Sequence, residues 1–172
     1  MKGSVFVGTS LDGFIARPDG ALDFLPDNPE PHGFDEFLAS VDALVWGRKT
    51  YDFVQGHGTW FYGEKPVFVL SSHDLKDPPA GAIVERMSGH PADIASALEQ
   101  RGFEHIYVDG GDTIQQFLRA GLIQRLIITR VPVLIGSGTP LFGPLDDDVS
   151  LTHVATRQYP SGLVQGEYEV AV

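Results

Sequence analysis

The stretch Val108-Asp-Gly-Gly-Asp-Thr-Ile-Gln-Gln-Phe-Leu118 constrains the chain most, because an apolar strand there runs straight into two glycines and then a helix. Glycine lacks the Cβ that would block close approach, and the first N–H groups of a helix have no partner within it, so this junction can face an anion. Asp112 is placed as the N-cap with Gln115 completing a box-like pattern, Ile114, Phe117 and Leu118 form one apolar stripe, and Gly121 closes the helix. A second junction repeats the pattern: Ala43-Leu-Val-Trp46 reads as a buried strand ending at Gly47-Arg-Lys-Thr50, where a short helix carrying Tyr51 and Phe53 begins. Arg48 and Lys49 at that helix start oppose the macrodipole unless an anion sits there. Paired glycines also serve simply to turn a chain, and G-x-G-x-x-G occurs nowhere, so neither junction is a dinucleotide fingerprint.

An anion at these junctions depends on locally gathered cations, since the 172 residues carry a formal net charge of −11 and a pI near 4.7. The same charge argues against nucleic acid or an anionic membrane as the partner. At 42% hydrophobic and 20% charged, residues 1–172 read as a single globular domain. The absence of cysteine excludes disulfides and thiolate zinc sites and suits a reducing compartment. No apolar run reaches the ~20 residues of a membrane span and no export signal opens the chain, so a soluble cytoplasmic protein is expected.

Ser4 to Thr9 reads as a short, mostly apolar strand, central and covered on both faces. Ser10-Leu-Asp-Gly-Phe-Ile-Ala16 and Arg17-Pro-Asp-Gly20 form a turn-rich loop across its end, and such loops often cover sites. Phe34, Phe37, Leu38 and Val41 mark a short amphipathic helix with Asp35 and Glu36 on its other side. Lys65 to Leu70 is an apolar strand delivering Ser71, Ser72 and His73, Ala82 to Glu85 is another, and Pro91 opens a helix that Gly102 stops. His105 to Val108 follows, then Arg125 to Thr129 extended across Pro132 to Ile135, and a closing hairpin of Leu151 to Arg157 with Val164 to Val172. This order gives a mostly parallel sheet with antiparallel strands at one edge, whose ligands gather at the carboxyl ends.

The six histidines, at 32, 57, 73, 90, 105 and 153, take no tight ligand spacing, and Asp146-Asp147-Asp148 lacks the glycine and distal glutamate of a calcium loop, so no metal is expected. Ser137 lies between glycines but outside any G-x-S-x-G, and G-x-x-x-x-G-K-[ST] is absent, which removes the nucleophile-elbow and P-loop readings.

The series Ser10-Leu-Asp-Gly-Phe-Ile-Ala16, Gly47-Arg-Lys-Thr50, Val69-Leu-Ser-Ser72, Val108-Asp-Gly-Gly111 with Phe117-Leu118, and Leu134-Ile-Gly-Ser-Gly-Thr-Pro-Leu-Phe142 resembles the dihydrofolate reductase superfamily in order and spacing. It is more similar still to the reductase domain of the bacterial bifunctional riboflavin-biosynthesis deaminase/reductase. The resemblance implies a three-layer α/β/α domain, NADPH as hydride donor and a homodimer. Carried over by position, Gly47, Arg48, Lys49 and Thr50 would hold phosphates, with Leu70, Ser71 and Ser72 on the 2′-phosphate side. Gly110, Gly111, Asp112, Thr113 and Ile114 would cradle the pyrophosphate, and Ile15 and Ala16 would line the nicotinamide. Three positions depart from the pattern. The lysine that follows S-L-D-G in the riboflavin-pathway enzymes is Phe14, and the glutamate directly before their paired glycines is Asp109. The pterin-binding acid of dihydrofolate reductases has its nearest counterpart in Asp35, on a shortened stretch.

The expectation is an NADPH-dependent reductase of a small heterocyclic or carbonyl/imine substrate, with Asp109, then Asp35, or bound water as proton donor. Phe14, Trp46, Trp60 and Phe61 are candidate stacking walls, core packing being the other role open to Trp46. Two alternatives stand beside it: a non-catalytic dimeric NADPH-binding protein, and a true dihydrofolate reductase.

Overall fold

The computed structural model describes residues 1–27 and 29–171. In chain order the elements are β1 (Lys2–Ser10), β2 (Phe14–Ala16), α1 (Phe34–Ala39), β3 (Ala43–Gly47), α2 (Arg48–Gly56), β4 (Val67–Leu70), β5 (Val84–Met87), α3 (Pro91–Gln100), β6 (His105–Asp109), α4 (Gly111–Arg119), β7 (Arg125–Val131), β8 (Thr139–Pro140), β9 (Leu151–Gln158) and β10 (Val164–Val170). Among the described residues, eight strands form one sheet in the order β5-β4-β3-β6-β1-β7-β10-β9, and β2 pairs with β8 apart from it. Neighbours from β5 through β7 are parallel, while β10 runs antiparallel to both β7 and β9. The first strand is central and the C-terminal hairpin forms an edge, as the sequence predicts.

Side chains alternate between the faces of a strand, and the inner strands are apolar on both. Val5, Val7, Val45 and Val108 turn to one face, against Ile94 and Leu98 of α3 and Ile114 and Phe117 of α4. Phe6, Leu44, Trp46 and Tyr107 turn to the other, against Phe37 of α1 and Tyr51 of α2. Helices on both faces make the three-layer α/β/α arrangement. Among the described residues, no helix is long and apolar enough to cross a membrane.

Several boundaries differ from the sequence expectation. β7 stops at Val131 rather than reaching Ile135, because Pro132 has no N–H to continue the ladder and the Val133 N–H folds back onto the Val131 carbonyl at 2.8 Å. Asp112 is not the cap of α4: Gly110 takes that position at φ 100° with no side-chain cap bond, and Gln115 donates instead to the Pro140 carbonyl at 3.1 Å. Gly121, at φ 68°, does end that helix, with the Leu122 N–H returning to the Phe117 carbonyl at 2.9 Å. The strand expected at Ala82 to Glu85 lies instead at Val84–Met87, in register with Val67 to Leu70. Val172, the end of the expected hairpin, lies outside the described residues.

Candidate active site

The β1–β6 ladder ends where Ser4 faces Tyr107, whereas β6 stays paired with β3 as far as Asp109 against Trp46, and β1 with β7 as far as Ser10 against Val131. Beyond Tyr107 the two central strands are no longer paired, and it is in the crevice at such a parting of carboxyl ends that open α/β sheets bind ligands. Asp109 ends β6 on one lip, and Thr9 and Ser10 end β1 on the other.

Both glycine junctions reach this end of the sheet. A Cβ added to Gly110 would lie 2.8 Å from Thr50 Oγ1 and 3.4 Å from the Gly47 nitrogen, and one added to Gly47 would lie 2.8 Å from Thr113 Oγ1. Each helix thus sets a threonine of its first turn against the other's glycine. The N-termini of α2 and α4 lie together, neither with a side-chain cap, which leaves two sets of helix N–H groups for an anionic ligand.

Lys49 and Asp112 are exposed at these helix starts, Gly111 and Thr113 are buried, and Ile114 is a core residue whose N–H already bonds the Gly110 carbonyl at 2.8 Å. Ile15 reaches over Gly111, where an added Cβ would meet its Cδ1 at 3.0 Å, and Ala16 pairs with Thr139. The loop before them is clamped, since the Asp12 carboxylate accepts the Ile135 N–H at 3.2 Å and the Gly136 N–H at 2.8 Å. The Ser10 hydroxyl, with those two N–H groups, holds the Asp12 carboxyl below its ordinary range.

Arg48 lies on the flank of the paired turns. Its Nε meets both Asp52 oxygens at 3.0 Å, and its Nη1 donates to the Asp74 carbonyl at 2.9 Å and the Ser71 hydroxyl at 3.4 Å. Ser72 bonds His73 Nδ1 at 2.7 Å, and Leu70 packs on the core beneath α3 and α4. Asp35 is exposed in the first turn of α1 and takes no part in the bonds that hold Asp109.

Asp109 is densely surrounded and half-buried at the end of β6. Its Oδ1 accepts the Gly110 N–H at 2.7 Å, and its Oδ2 lies 3.1 Å from the Tyr107 hydroxyl, which is 2.9 Å from the Phe6 carbonyl. Burial pushes the Asp109 carboxyl above its ordinary range, against the pull of the Gly110 N–H and the Tyr107 hydroxyl. Burial, then the Asp109 charge, pushes the Tyr62 and Tyr107 phenols up as well. Trp46 lies under Tyr62 and Trp60, with ring centroids 4.8 and 5.9 Å away, and its buried Nε1–H has no partner among the described residues. Phe14 is half-buried, and Phe61 stands 70% exposed.

The sequence reading singled out neither Tyr62 nor Tyr107. Tyr107 carries a signal, because a strand residue two before Asp109 shares its face. Tyr62 sits in a loop, where no spacing announces it. Among the described residues, no group of three His, Asp or Glu could hold a metal. A separate cavity of about 410 Å³ lies between α1 and the β7-β10-β9 edge, where Arg125 and Arg157 both bind Glu167. None of the candidate cofactor or acid residues lines it.

Residues 2–165 match the RibD C-terminal domain family. The chain belongs to that family. Among solved relatives of this RibD C-terminal domain is a Shewanella sp. PV-4 protein assigned to riboflavin biosynthesis, 39% identical, with each chain covered in full and a TM-score of 0.90. YwjB of Bacillus subtilis (strain 168) is 32% identical over 164 residues, 92% of each chain. The Thermotoga maritima diaminohydroxyphosphoribosylaminopyrimidine deaminase/5-amino-6-(5-phosphoribosylamino)uracil reductase shares the fold, with a TM-score of 0.79 at 15% identity over 99% of this chain and 56% of that one.

Proposed function

We propose that this RibD C-terminal domain is an NADPH-dependent reductase of a small heterocyclic or carbonyl/imine substrate, with Asp109 as the proton donor. The observation that carries the reading is the meeting of the two glycine junctions, Thr50 on Gly110 and Thr113 on Gly47, beside a crevice in which β6 ends on a carboxyl. Family membership supports it, as do relatives described as a riboflavin biosynthesis protein and a uracil reductase. When bound, the nicotinamide supplies the hydride.

The chain's own groups do the rest. The N–H groups at the starts of α2 and α4 hold anionic oxygens, with Lys49 and Arg48 as local cations within a molecule of net charge −11. Ser71 and Ser72 serve the outer phosphate, and Ile15 and Ala16 wall the ring. Trp60 and Tyr62, seated on Trp46, which is buried in the core, offer an aromatic wall to a planar substrate. Asp109 gives its proton to the heteroatom beside the carbon that is reduced, and burial favours it over exposed Asp35, because a carboxyl held protonated nearer neutral pH is the better general acid. A soluble, cytoplasmic homodimer belongs to the same proposal.

The test is a fluorescence titration with NADPH, then turnover of a panel of pterins, pyrimidinones and quinones by wild type and Asp109→Asn. Expected is cofactor binding by both, with kcat of the variant down by about 10²-fold or more. A flat titration at high protein concentration, or a variant as active as wild type, overturns the reading.

A further inference from the structure

The Tyr107 hydroxyl has one hydrogen and two neighbours that can ask for it. The Phe6 carbonyl can only accept, and so can an ionised Asp109. The hydroxyl oxygen is 2.9 Å from the first and 3.1 Å from Oδ2 of the second.

The Phe6 carbonyl has a strong claim. Gly3 bonds with Gln124 on the β7 side of β1, so by the alternation of a parallel strand Phe6 turns its carbonyl toward β6. The ladder to β6 has already ended at Tyr107, so among the described residues no strand N–H meets that carbonyl, and a buried carbonyl without a hydrogen is costly. With a proton on Oδ2, every member is satisfied: Asp109 donates to the Tyr107 oxygen, Tyr107 donates to the Phe6 carbonyl, and the Gly110 N–H holds Oδ1.

We propose that Tyr107 is a two-position proton switch for Asp109, donating to the Phe6 carbonyl while Asp109 holds its proton and turning onto Oδ2 once that proton has left. The role rests on Asp109 as proton donor. A bound dihydronicotinamide would supply hydride to the carbon of a C=N or C=O bond, and the heteroatom, gaining the π pair, would take the Asp109 proton. The carboxylate left behind is held by the Gly110 N–H on one oxygen and the turned Tyr107 O–H on the other, until water entering the crevice reprotonates it. Tyr107 keeps its own proton throughout and is a positioning residue. The titratable groups bearing on Asp109 are Tyr107 on its own strand and Tyr62 from the loop before β4, and Trp46 on β3 brings only its indole. Burial raises the Asp109 carboxyl and so favours its protonated position, while the Gly110 N–H and the Tyr107 hydroxyl, once turned onto Oδ2, pull it down.

The test follows the Asp109 carboxyl carbon and the Tyr107 ring carbon that bears the hydroxyl by carbon NMR against pH, in wild type and in Asp109→Asn, whose amide N–H donates to Tyr107 as the protonated acid does. It requires neither cofactor nor turnover, so its outcome is separate from that of the reductase assays. Expected is a wild-type Asp109 midpoint above the ordinary carboxyl value, a Tyr107 signal that shifts at that same midpoint, and in Asp109→Asn a Tyr107 signal that keeps the low-pH wild-type position throughout. A Tyr107 signal that passes the Asp109 midpoint unmoved, or that in Asp109→Asn matches ionised wild type, overturns the switch.

Discussion

Gly47→Ala tests the contact between the two turns. Gly47 sits at φ −70°, ψ 158°, ordinary extended backbone, so alanine adds no backbone strain and the effect is steric. The new Cβ would lie 2.8 Å from Thr113 Oγ1 and 4.0 Å from Thr113 Cβ. Thr113 is 5% exposed and β-branched, so it must leave its rotamer or α4 must move, and overpacking of this kind costs about 1–3 kcal/mol. Thr113→Ala alone removes a buried methyl and hydroxyl at a cost of about 1–2 kcal/mol. In the double variant the oxygen that the new Cβ strikes is gone, so its loss should fall short of the sum by about 1 kcal/mol or more. Urea unfolding of the four proteins, followed by circular dichroism, measures the cycle. Additivity within about 0.5 kcal/mol would refute the contact.

Two further outcomes concern other parts of the fold. Glu167→Ala leaves Arg125 and Arg157 without their shared carboxylate, and with both arginines partly solvated the cost in urea unfolding at neutral pH is about 1–3 kcal/mol. Burial pushes the Glu167 carboxyl up, but the two guanidiniums outweigh it and hold it below its ordinary range. Its contribution is therefore fully present above the unfolded-state value near ~4.3 and is lost as pH falls through the depressed folded-state value. The stability difference between wild type and Glu167→Gln should be flat at neutral pH and shrink in acid, and a difference that grows in acid would contradict the pairing. Asp12→Ala releases the Ile135 and Gly136 N–H groups, so their hydrogen exchange should quicken by about tenfold or more while the sheet amides hold. Unchanged exchange at those two residues would show that Asp12 does not clamp the loop.

What could be read from the sequence was what short-range pattern encodes. Val5 and Val7 against Phe6 announce a strand with two buried faces, and Trp46-Gly47 and Asp109-Gly110 announce strand ends feeding helices. The cap of α4 is not legible in this way, because Asp112 has the right chemistry for a cap while the position is decided by backbone geometry. Gly110 holds it at φ 100°, pressed against Thr50 of a helix far away in the chain. The placing of Asp109 at a ligand-binding end was legible, but its partners were not. Tyr107 finds its acceptor in Phe6, 101 residues away, and only because the β1–β6 ladder stops early. The Arg48–Asp52 pair, by contrast, has helical i,i+4 spacing and was open to sequence reading, and it tempers the free charge that Arg48 brings to a phosphate.

Amide NMR of the uniformly labelled protein during NADPH addition tests the central claim most directly. The N–H signals of Arg48, Lys49 and Thr50 and those of Gly111, Asp112 and Thr113 are expected to move together along one binding curve, while those of α3 stay in place. Movement confined to one turn, or two curves with separate affinities, would contradict a single nucleotide site built from both junctions.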